Sequence, residues 1–159
     1  MNEQELREKF LGIPYAENGR NMTGLNCLGL TILAYKVYDI EFLDLENLCK
    51  QRWIKDKNKF IEDYYKEWIP VVKTQPRFLD LMMFNENGIP WHLGIYLSYN
   101  KFLHCGKAGV VITKLEGRWC NIFEGYYRHN SLVHGYFGVT DPKDMVYGKG
   151  PAQVKDVDV

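Results

Sequence analysis

The spacing of hydrophobic and polar positions changes from a helical period to strict alternation near residue 76. Residues 2–11 have the pattern of a short amphipathic helix, and the turn-rich segment that follows contains Pro14, which forbids its continuation. A second helix is predicted to begin after Asn26, because asparagine is a favoured N-cap residue. This helix is apolar on most sides up to Asp39, so we expect it to be buried.

Two more helical stretches are predicted between residues 43 and 69, with polar faces that carry scattered aromatic residues. Pro70 is expected to close the second one, since a residue before proline is disfavoured in helical geometry. We therefore predict a helical insertion on the surface, over about residues 40–75.

Beyond residue 76 four segments alternate between apolar and polar positions, and short turn sequences separate them: FLDLMMF, WHLGIYLS, KFLHC and GVVITKL. This pattern predicts an antiparallel meander, to which EGYYRH is a candidate further strand. A helical half followed by a sheet indicates an α+β fold in one domain, residues 1–135, with the buried helix packed on the sheet. Residues 136–159 lack periodicity and are expected to form an extended or loosely ordered tail.

Composition and charge narrow the class of protein. Hydrophobic residues make up 46% of the 159 residues, which suits one compact domain with a sizeable core. The 20 basic and 20 acidic side chains cancel, so charge gives no reason to expect nucleic acid or an anionic membrane as a partner. We find neither a bilayer-spanning apolar run nor a signal-peptide core, and we expect the chain to be cytoplasmic on synthesis.

Cys27 is the first candidate for chemistry, because the glycine-flanked sequence TGLNCLGL places it at the start of the buried helix. The N–H groups and the positive dipole end of a first helical turn favour a thiolate and lower the pKa of a thiol. A lone cysteine at such a position is more often a small buried hydrophobe. A nucleophilic role for Cys27 therefore depends on a base nearby.

His92 and His104 are the candidate base and its orienting partner, provided that they share one face of the sheet. A two-residue turn between their strands would set Ile95 opposite His104 and send the two imidazoles to opposite faces. A three-residue loop over residues 98–100 sets Gly94 opposite His104 and makes the histidines diagonal neighbours on one face. We predict the three-residue loop, with its asparagine in the left-handed region and open space above Gly94.

Zinc is an alternative use of these thiols and imidazoles, which are its usual ligands. The spacing argues against it, because the adjacent His104 and Cys105 point to opposite faces of a strand. The arrangement instead predicts a papain-like cysteine hydrolase, which needs no metal and no other cofactor.

The sequence resembles the NlpC-type cell-wall peptidases, which are papain-like enzymes. The resemblance covers roughly residues 12–128: GIPYAENGRNMTGLNCLGL is similar to the family pattern around its cysteine, FLDLMMF to its G-D-L-x-x-F, and WHLGIYLSYNKFLHC to its H-V-G-I-Y…F-I-H-A. The resemblance implies that Cys27 is the nucleophile, His92 the general base and His104 the residue that orients it. It also implies that Tyr15 lines the site near the oxyanion hole, to which the backbone N–H of Cys27 contributes.

The same resemblance implies a substrate. Family members cut the γ-D-glutamyl amide bond of peptidoglycan stem peptides through a thioester intermediate. Where the family usually has aspartate and serine beside the cysteine, this chain has Asn26 and Leu28, so recognition of the free amino end of a stem peptide is expected to differ. Leu79 replaces the family glycine before Asp80, a change expected to affect only the entry into a strand.

The predicted insertion and the large Leu28 resemble phage-borne members of the family, which are often associated with tails. This resemblance implies phage tail proteins as partners, and a protein that is virion-associated or released to the cell wall by a partner or by lysis. Two alternatives remain open at the level of sequence. One is a non-catalytic tail structural or wall-binding protein, and the other is an amidase or acyltransferase on the same scaffold.

Overall fold

The computed structural model describes residues 1–44, 65–87 and 89–134. The helices in these ranges are α1 (Glu3–Phe10), α2 (Cys27–Lys36), α3 (Arg118–Ile122) and α4 (Asn130–His134). The strands are β1 (Arg20–Asn21), β2 (Gly24–Leu25), β3 (Trp68–Val71), β4 (Leu81–Glu86), β5 (Ile89–Leu97), β6 (Lys101–Gly106), β7 (Gly109–Lys114) and β8 (Phe123–His129). The predicted tail and most of the predicted insertion lie outside the described residues.

The strands form a two-stranded sheet of β1 and β2 and a six-stranded antiparallel sheet in the order β3-β8-β4-β5-β6-β7. The predicted meander is confirmed as β4 to β7, and EGYYRH is confirmed as part of β8. Helix α2 packs on the large sheet, and the buried Tyr35 hydroxyl donates a hydrogen bond to the Leu79 carbonyl at 2.9 Å. The architecture is the expected α+β fold with the cysteine-bearing helix against the sheet.

One part of the predicted insertion is wrong. Trp68 and Ile69, predicted to end a helix, begin strand β3, and Pro70 lies inside that strand instead of closing a helix before it. Strand β3 pairs only with β8 in the six-stranded order, so it lies at an edge of the sheet. Proline is tolerated in an edge strand because its missing N–H can face away from the ladder.

Helix α1 begins at an Asn2 capping box, in which the Asn2 side chain accepts from the Glu5 N–H and the Glu5 carboxylate accepts from the Asn2 N–H. Its Leu6 and Phe10 are fully buried in the core under α2. The Glu3 carboxylate accepts from the backbone N–H of Ser98 at 3.0 Å, and this bond ties α1 to the β5–β6 loop.

The two faces of the large sheet carry separate apolar clusters. Ile95, Leu103 and Cys105 belong to the cluster that includes α2, while Phe84 and Phe102 belong to the cluster on the other face. This division follows the alternation of side chains along each strand. The imidazole-bearing positions of β5 and β6 therefore share the face of Phe84 and Phe102.

A buried ion pair joins Asp80, the residue before β4, to Arg128 of β8. The Arg128 guanidinium donates two hydrogen bonds of 2.7 Å to the Asp80 carboxylate, which also accepts from the Arg77 N–H at 2.7 Å. Asp80 is fully buried, and burial raises the pKa of its carboxyl while Arg128 opposes that rise. The preceding Leu79 has φ 74° and a fully buried side chain. Leucine in this left-handed conformation costs about 1 kcal/mol.

Candidate active site

The start of α2 is held by the Asn26 side chain. Its Oδ1 accepts from the Gly29 N–H at 2.8 Å and from Arg20 at 2.9 Å, and its Nδ2 donates to the Glu17 carbonyl at 2.8 Å. Asn26 is buried, and it is the predicted N-cap of the helix. These bonds fix the backbone on both sides of Cys27, the first residue of α2. They also mean that the Asn26 side chain is hydrogen-bonded to other parts of the protein.

Close backbone contact adds to this fixation. A Cβ atom built on Gly29 would lie 1.9 Å from the Gly19 carbonyl oxygen, and one built on Gly19 would lie 2.3 Å from the Gly24 carbonyl oxygen. Three glycines thus allow the β1–β2 hairpin to touch the first turn of α2. The β1–β2 hairpin and the first turn of α2, where Cys27 lies, are therefore in direct backbone contact.

The predicted loop between β5 and β6 is confirmed. Leu97 pairs with Lys101 and Ile95 with Leu103, so three residues connect the strands and the register continues with Gly94 opposite His104. Asn100 has φ 58°, as predicted, and Tyr99 also lies in the left-handed region at φ 60°.

This register joins the two histidines. His92 Nε2 lies 2.9 Å from His104 Nδ1, and His104 Nε2 lies 2.9 Å from the Thr113 hydroxyl on β7. If His92 is to accept a proton on its remaining nitrogen, Nδ1, its Nε2 must carry the hydrogen that it donates to His104. His104 then carries its hydrogen on Nε2 and donates it to Thr113. Thr113 is the third member of this hydrogen-bonded series, and the sequence did not predict it.

Aromatic rings surround the histidine pair. The Trp119 ring of α3 lies edge-on to the His104 ring, with centroids 4.8 Å apart, and its centroid is 5.4 Å from that of His92. The Phe102 ring stacks on the His104 ring with centroids 4.7 Å apart. The predicted open space above Gly94 is absent, because a Cβ there would lie 2.7 Å from the Phe102 ring. The histidines are therefore packed among apolar groups and buried.

Burial sets the protonation state of the pair. It lowers the pKa of His92 to about 3, with a smaller contribution from the neighbouring His104, and it lowers the pKa of His104 to about 4. Both imidazoles are thus neutral near pH 7. Neutral His92 has a lone pair that can accept a proton, and its low pKa makes it a weak base in this state.

The depressed pKa values predict that acid destabilises the fold. In the unfolded chain both histidines titrate near pH 6.5, so below that pH the unfolded state binds protons that the folded state does not. The contribution of the two histidines to the free energy of unfolding is greatest above pH 6.5 and falls as the pH drops toward 4, by about 2 kcal/mol for each histidine between pH 7 and pH 5. Urea unfolding at both pH values measures this fall. The fall should shrink in His104→Gln, and a fall of unchanged size would assign it to other groups.

A cavity of about 150 Å³ lies beside Cys27 and His92. Its other lining side chains are apolar or aromatic: Leu28, Phe42, Tyr65, Leu81, Met83, Trp91 and Leu93. The predicted nucleophile, the predicted base and Leu28 thus border the same space. His104 lies behind His92 and reaches the cavity only through the hydrogen bond between the two imidazoles.

Tyr15 forms a parallel β-bridge with Leu25 of β2 and is not among the described residues that line the cavity. Its hydroxyl accepts a hydrogen bond of 3.1 Å from Lys107 Nζ, which lies 4.2 Å from its ring centroid. Leu25 also accepts from the Cys105 thiol at 3.1 Å, and burial raises the pKa of Cys105 to about 11. Cys105 is thereby a protonated, buried thiol, distinct in setting from Cys27.

Within residues 1–44, 65–87 and 89–134, we find no group of three or more histidine, cysteine or acidic side chains that could hold a metal ion. In the same ranges no helix is long and apolar enough to cross a membrane.

Comparison with known structures places the fold. An NlpC/P60 family protein from Bacillus cereus ATCC 10987 matches 81% of this chain and 40% of its own, with a TM-score of 0.61 and 22% identity. A protein from Staphylococcus aureus, described as similar to a lipoprotein of the NLP/P60 family, matches 79% of this chain and 39% of its own (TM-score 0.58, 23% identity). The peptidoglycan hydrolase RipB of Mycobacterium tuberculosis matches 82% and 68% (TM-score 0.53, 16% identity). The chain spans about two fifths of the length of the first two.

These matches and the sheet topology define a papain-like α+β fold. The sequence model of the NlpC/P60 family matches residues 12–127, and the chain belongs to this family. NlpC/P60 proteins are generally peptidoglycan hydrolases of the cysteine peptidase type. No curated protein matches the chain.

Proposed function

We propose that this chain is a cysteine peptidase that hydrolyses a γ-D-glutamyl amide bond in peptidoglycan stem peptides. The observation that carries the proposal is the shared cavity of Cys27 and His92, with His92 hydrogen-bonded to His104 behind it. Membership of the NlpC/P60 family supports the substrate class.

The proposed reaction has two halves. His92 Nδ1 takes the thiol proton as the Cys27 sulfur attacks the amide carbonyl, and the Cys27 N–H stabilises the oxyanion. The C–N bond then breaks, His92 gives its proton to the leaving amine, and a thioester remains. Water attacks the thioester with His92 as base, and the released thiol regains its proton. No step requires a cofactor.

The proposed order of roles predicts graded losses of turnover along the hydrogen-bonded chain. His92→Ala removes the base and should reduce kcat most, His104→Ala removes the group that fixes the base and should reduce it less, and Thr113→Val should reduce it about tenfold. Thr113→Ser keeps a hydroxyl and should retain most activity. The pH profile of kcat should shift in Thr113→Val and not in Thr113→Ser. Equal losses for both histidine variants would contradict the assigned roles.

The bond specificity is tested with synthetic stem peptides. The chain is incubated with a peptide that contains a γ-linked D-glutamyl amide and with its isomer linked through the α-carboxyl, and mass spectrometry identifies the products. Cleavage of the γ-linked peptide alone supports the proposal. Cleavage of neither peptide, with a folded protein, favours the non-catalytic alternative, and transfer of the acyl group to an added amine favours an acyltransferase.

We also propose association with a phage tail, which would bring the enzyme to the cell wall. The support is the resemblance of Leu28 and of the predicted insertion to phage-borne members. Co-purification of the chain with assembled virions from a lysate would support this association, and its absence from purified virions would contradict it.

A further inference from the structure

The cavity beside Cys27 differs in chemistry from a site that binds a free amine. Of the described residues that line it, seven are apolar or aromatic, and none carries a carboxylate. His92 adds no charge at neutral pH, because burial lowers its pKa to about 3. A charged group in this space would lose its water without gaining an ionic partner among the described lining residues.

The two positions that flank the nucleophile also offer no anion. The Asn26 side-chain amide is hydrogen-bonded to Gly29, Arg20 and Glu17 at the start of α2. Leu28 is buried and contributes its side chain to the cavity wall. Both neighbours of Cys27 therefore favour an uncharged occupant.

The size of the cavity limits the occupant further. A cavity of about 150 Å³ lined by aliphatic and aromatic side chains is large enough for a group of about the size of benzene. Trp91 has 48% of its surface exposed, so it supplies a wall that is open to incoming substrate. Flat apolar groups gain most from such a wall.

We infer that this cavity binds one uncharged, apolar group of up to about one aromatic ring, on a part of the substrate within reach of the scissile amide and separate from the α-carboxylate of the γ-D-glutamyl residue. The inference rests on the proposed role of Cys27 as the nucleophile, and it names the class of substrate that the site prefers. A charged free amino group at that place is disfavoured.

Alkylation of Cys27 tests this inference without requiring peptide hydrolysis. Three probes share one reactive group: iodoacetamide, N-benzyliodoacetamide and the cationic N-(2-aminoethyl)iodoacetamide. Each rate at Cys27, measured by mass spectrometry, is divided by the rate of the same probe with glutathione. The benzyl probe should then react at least about tenfold faster than iodoacetamide, and the cationic probe no faster than iodoacetamide.

Two variants and one control locate the effect. Leu28→Ser should reduce the preference for the benzyl probe at least threefold, while Leu11→Ser, the same change at an exposed leucine, should leave it unchanged. If Leu28→Ser does not fold, Trp91→Ala replaces it, because that side chain is half exposed. Equal normalised rates for the three probes, or a preference for the cationic probe, would overturn the inference.

The two proposals fail in different ways. Benzyl preference without cleavage of any stem peptide would leave the apolar site standing and remove the proposed peptidase function. Cleavage of the γ-linked peptide without benzyl preference would support the peptidase function and overturn the apolar site.

Discussion

Cys27→Ala should abolish hydrolysis, with a loss of at least about 1,000-fold in kcat and little change in the free energy of unfolding. The loss is large because no other described residue that lines the cavity carries a thiol to form the thioester. The effect on stability is small because the change removes one sulfur atom from a half-buried side chain at the edge of a cavity. Product formation and urea unfolding of the same preparation measure the two quantities.

Cys120→Ala is the matched control, since it removes an exposed thiol from α3. It should keep full activity. Iodoacetamide should label Cys27 faster than Cys105 or Cys120 at neutral pH, and His92→Ala should remove that advantage. If Cys27→Ala unfolds the protein, the residue is structural, and if the variant still hydrolyses the peptide, the nucleophile lies elsewhere.

Gly29→Ala should destabilise the protein by about 3 kcal/mol or more and reduce activity in the fraction that folds. The new methyl group would lie 1.9 Å from the Gly19 carbonyl oxygen, a backbone atom that cannot rotate away. The hairpin must therefore move off the helix, and the Asn26 bond to the Gly29 N–H moves with it. Urea unfolding gives the free energy, and near-ultraviolet circular dichroism reports the change in packing.

Gly125→Ala is the control for this substitution. A Cβ at Gly125 would meet only the Tyr127 ring at 3.9 Å, an ordinary contact. That variant should be as stable as the wild type or slightly more stable, since alanine restricts the unfolded chain more than glycine does. A Gly29→Ala protein of wild-type stability would mean that the hairpin and helix are not in close backbone contact.

The histidine pair was predictable because local rules determine it. Alternation assigns faces, and the length of the 98–100 loop decides which face His104 shares. Both rules act within about a dozen residues of sequence. The N-cap at Asn26 was predictable for the same reason, since capping preference depends on the adjacent residues.

Features that depend on distant residues were not predictable in this way. Trp68–Val71 forms a strand because β8, more than 50 residues later, pairs with it, whereas its own neighbours favour a helix. Thr113 meets His104 through the β6–β7 register, which sets Val111 opposite His104 and makes Thr113 its diagonal neighbour. The GKA turn could have indicated that register, but threonine is common in alternating strands, so its presence at position 113 is not a specific signal of a functional role.

The position of β8 has a consequence for how the protein is made. Strands β4 to β7 are consecutive and can pair as they leave the ribosome, but β3 and β4 are held together only by β8, which is synthesised after all of them. Until residues 123–129 emerge, β4 presents an unpaired edge to other nascent chains, and Asp80 lacks Arg128. Strand β8, the last of the described strands to be made, thus closes the sheet, so the interval before its synthesis is when misassembly is most favoured.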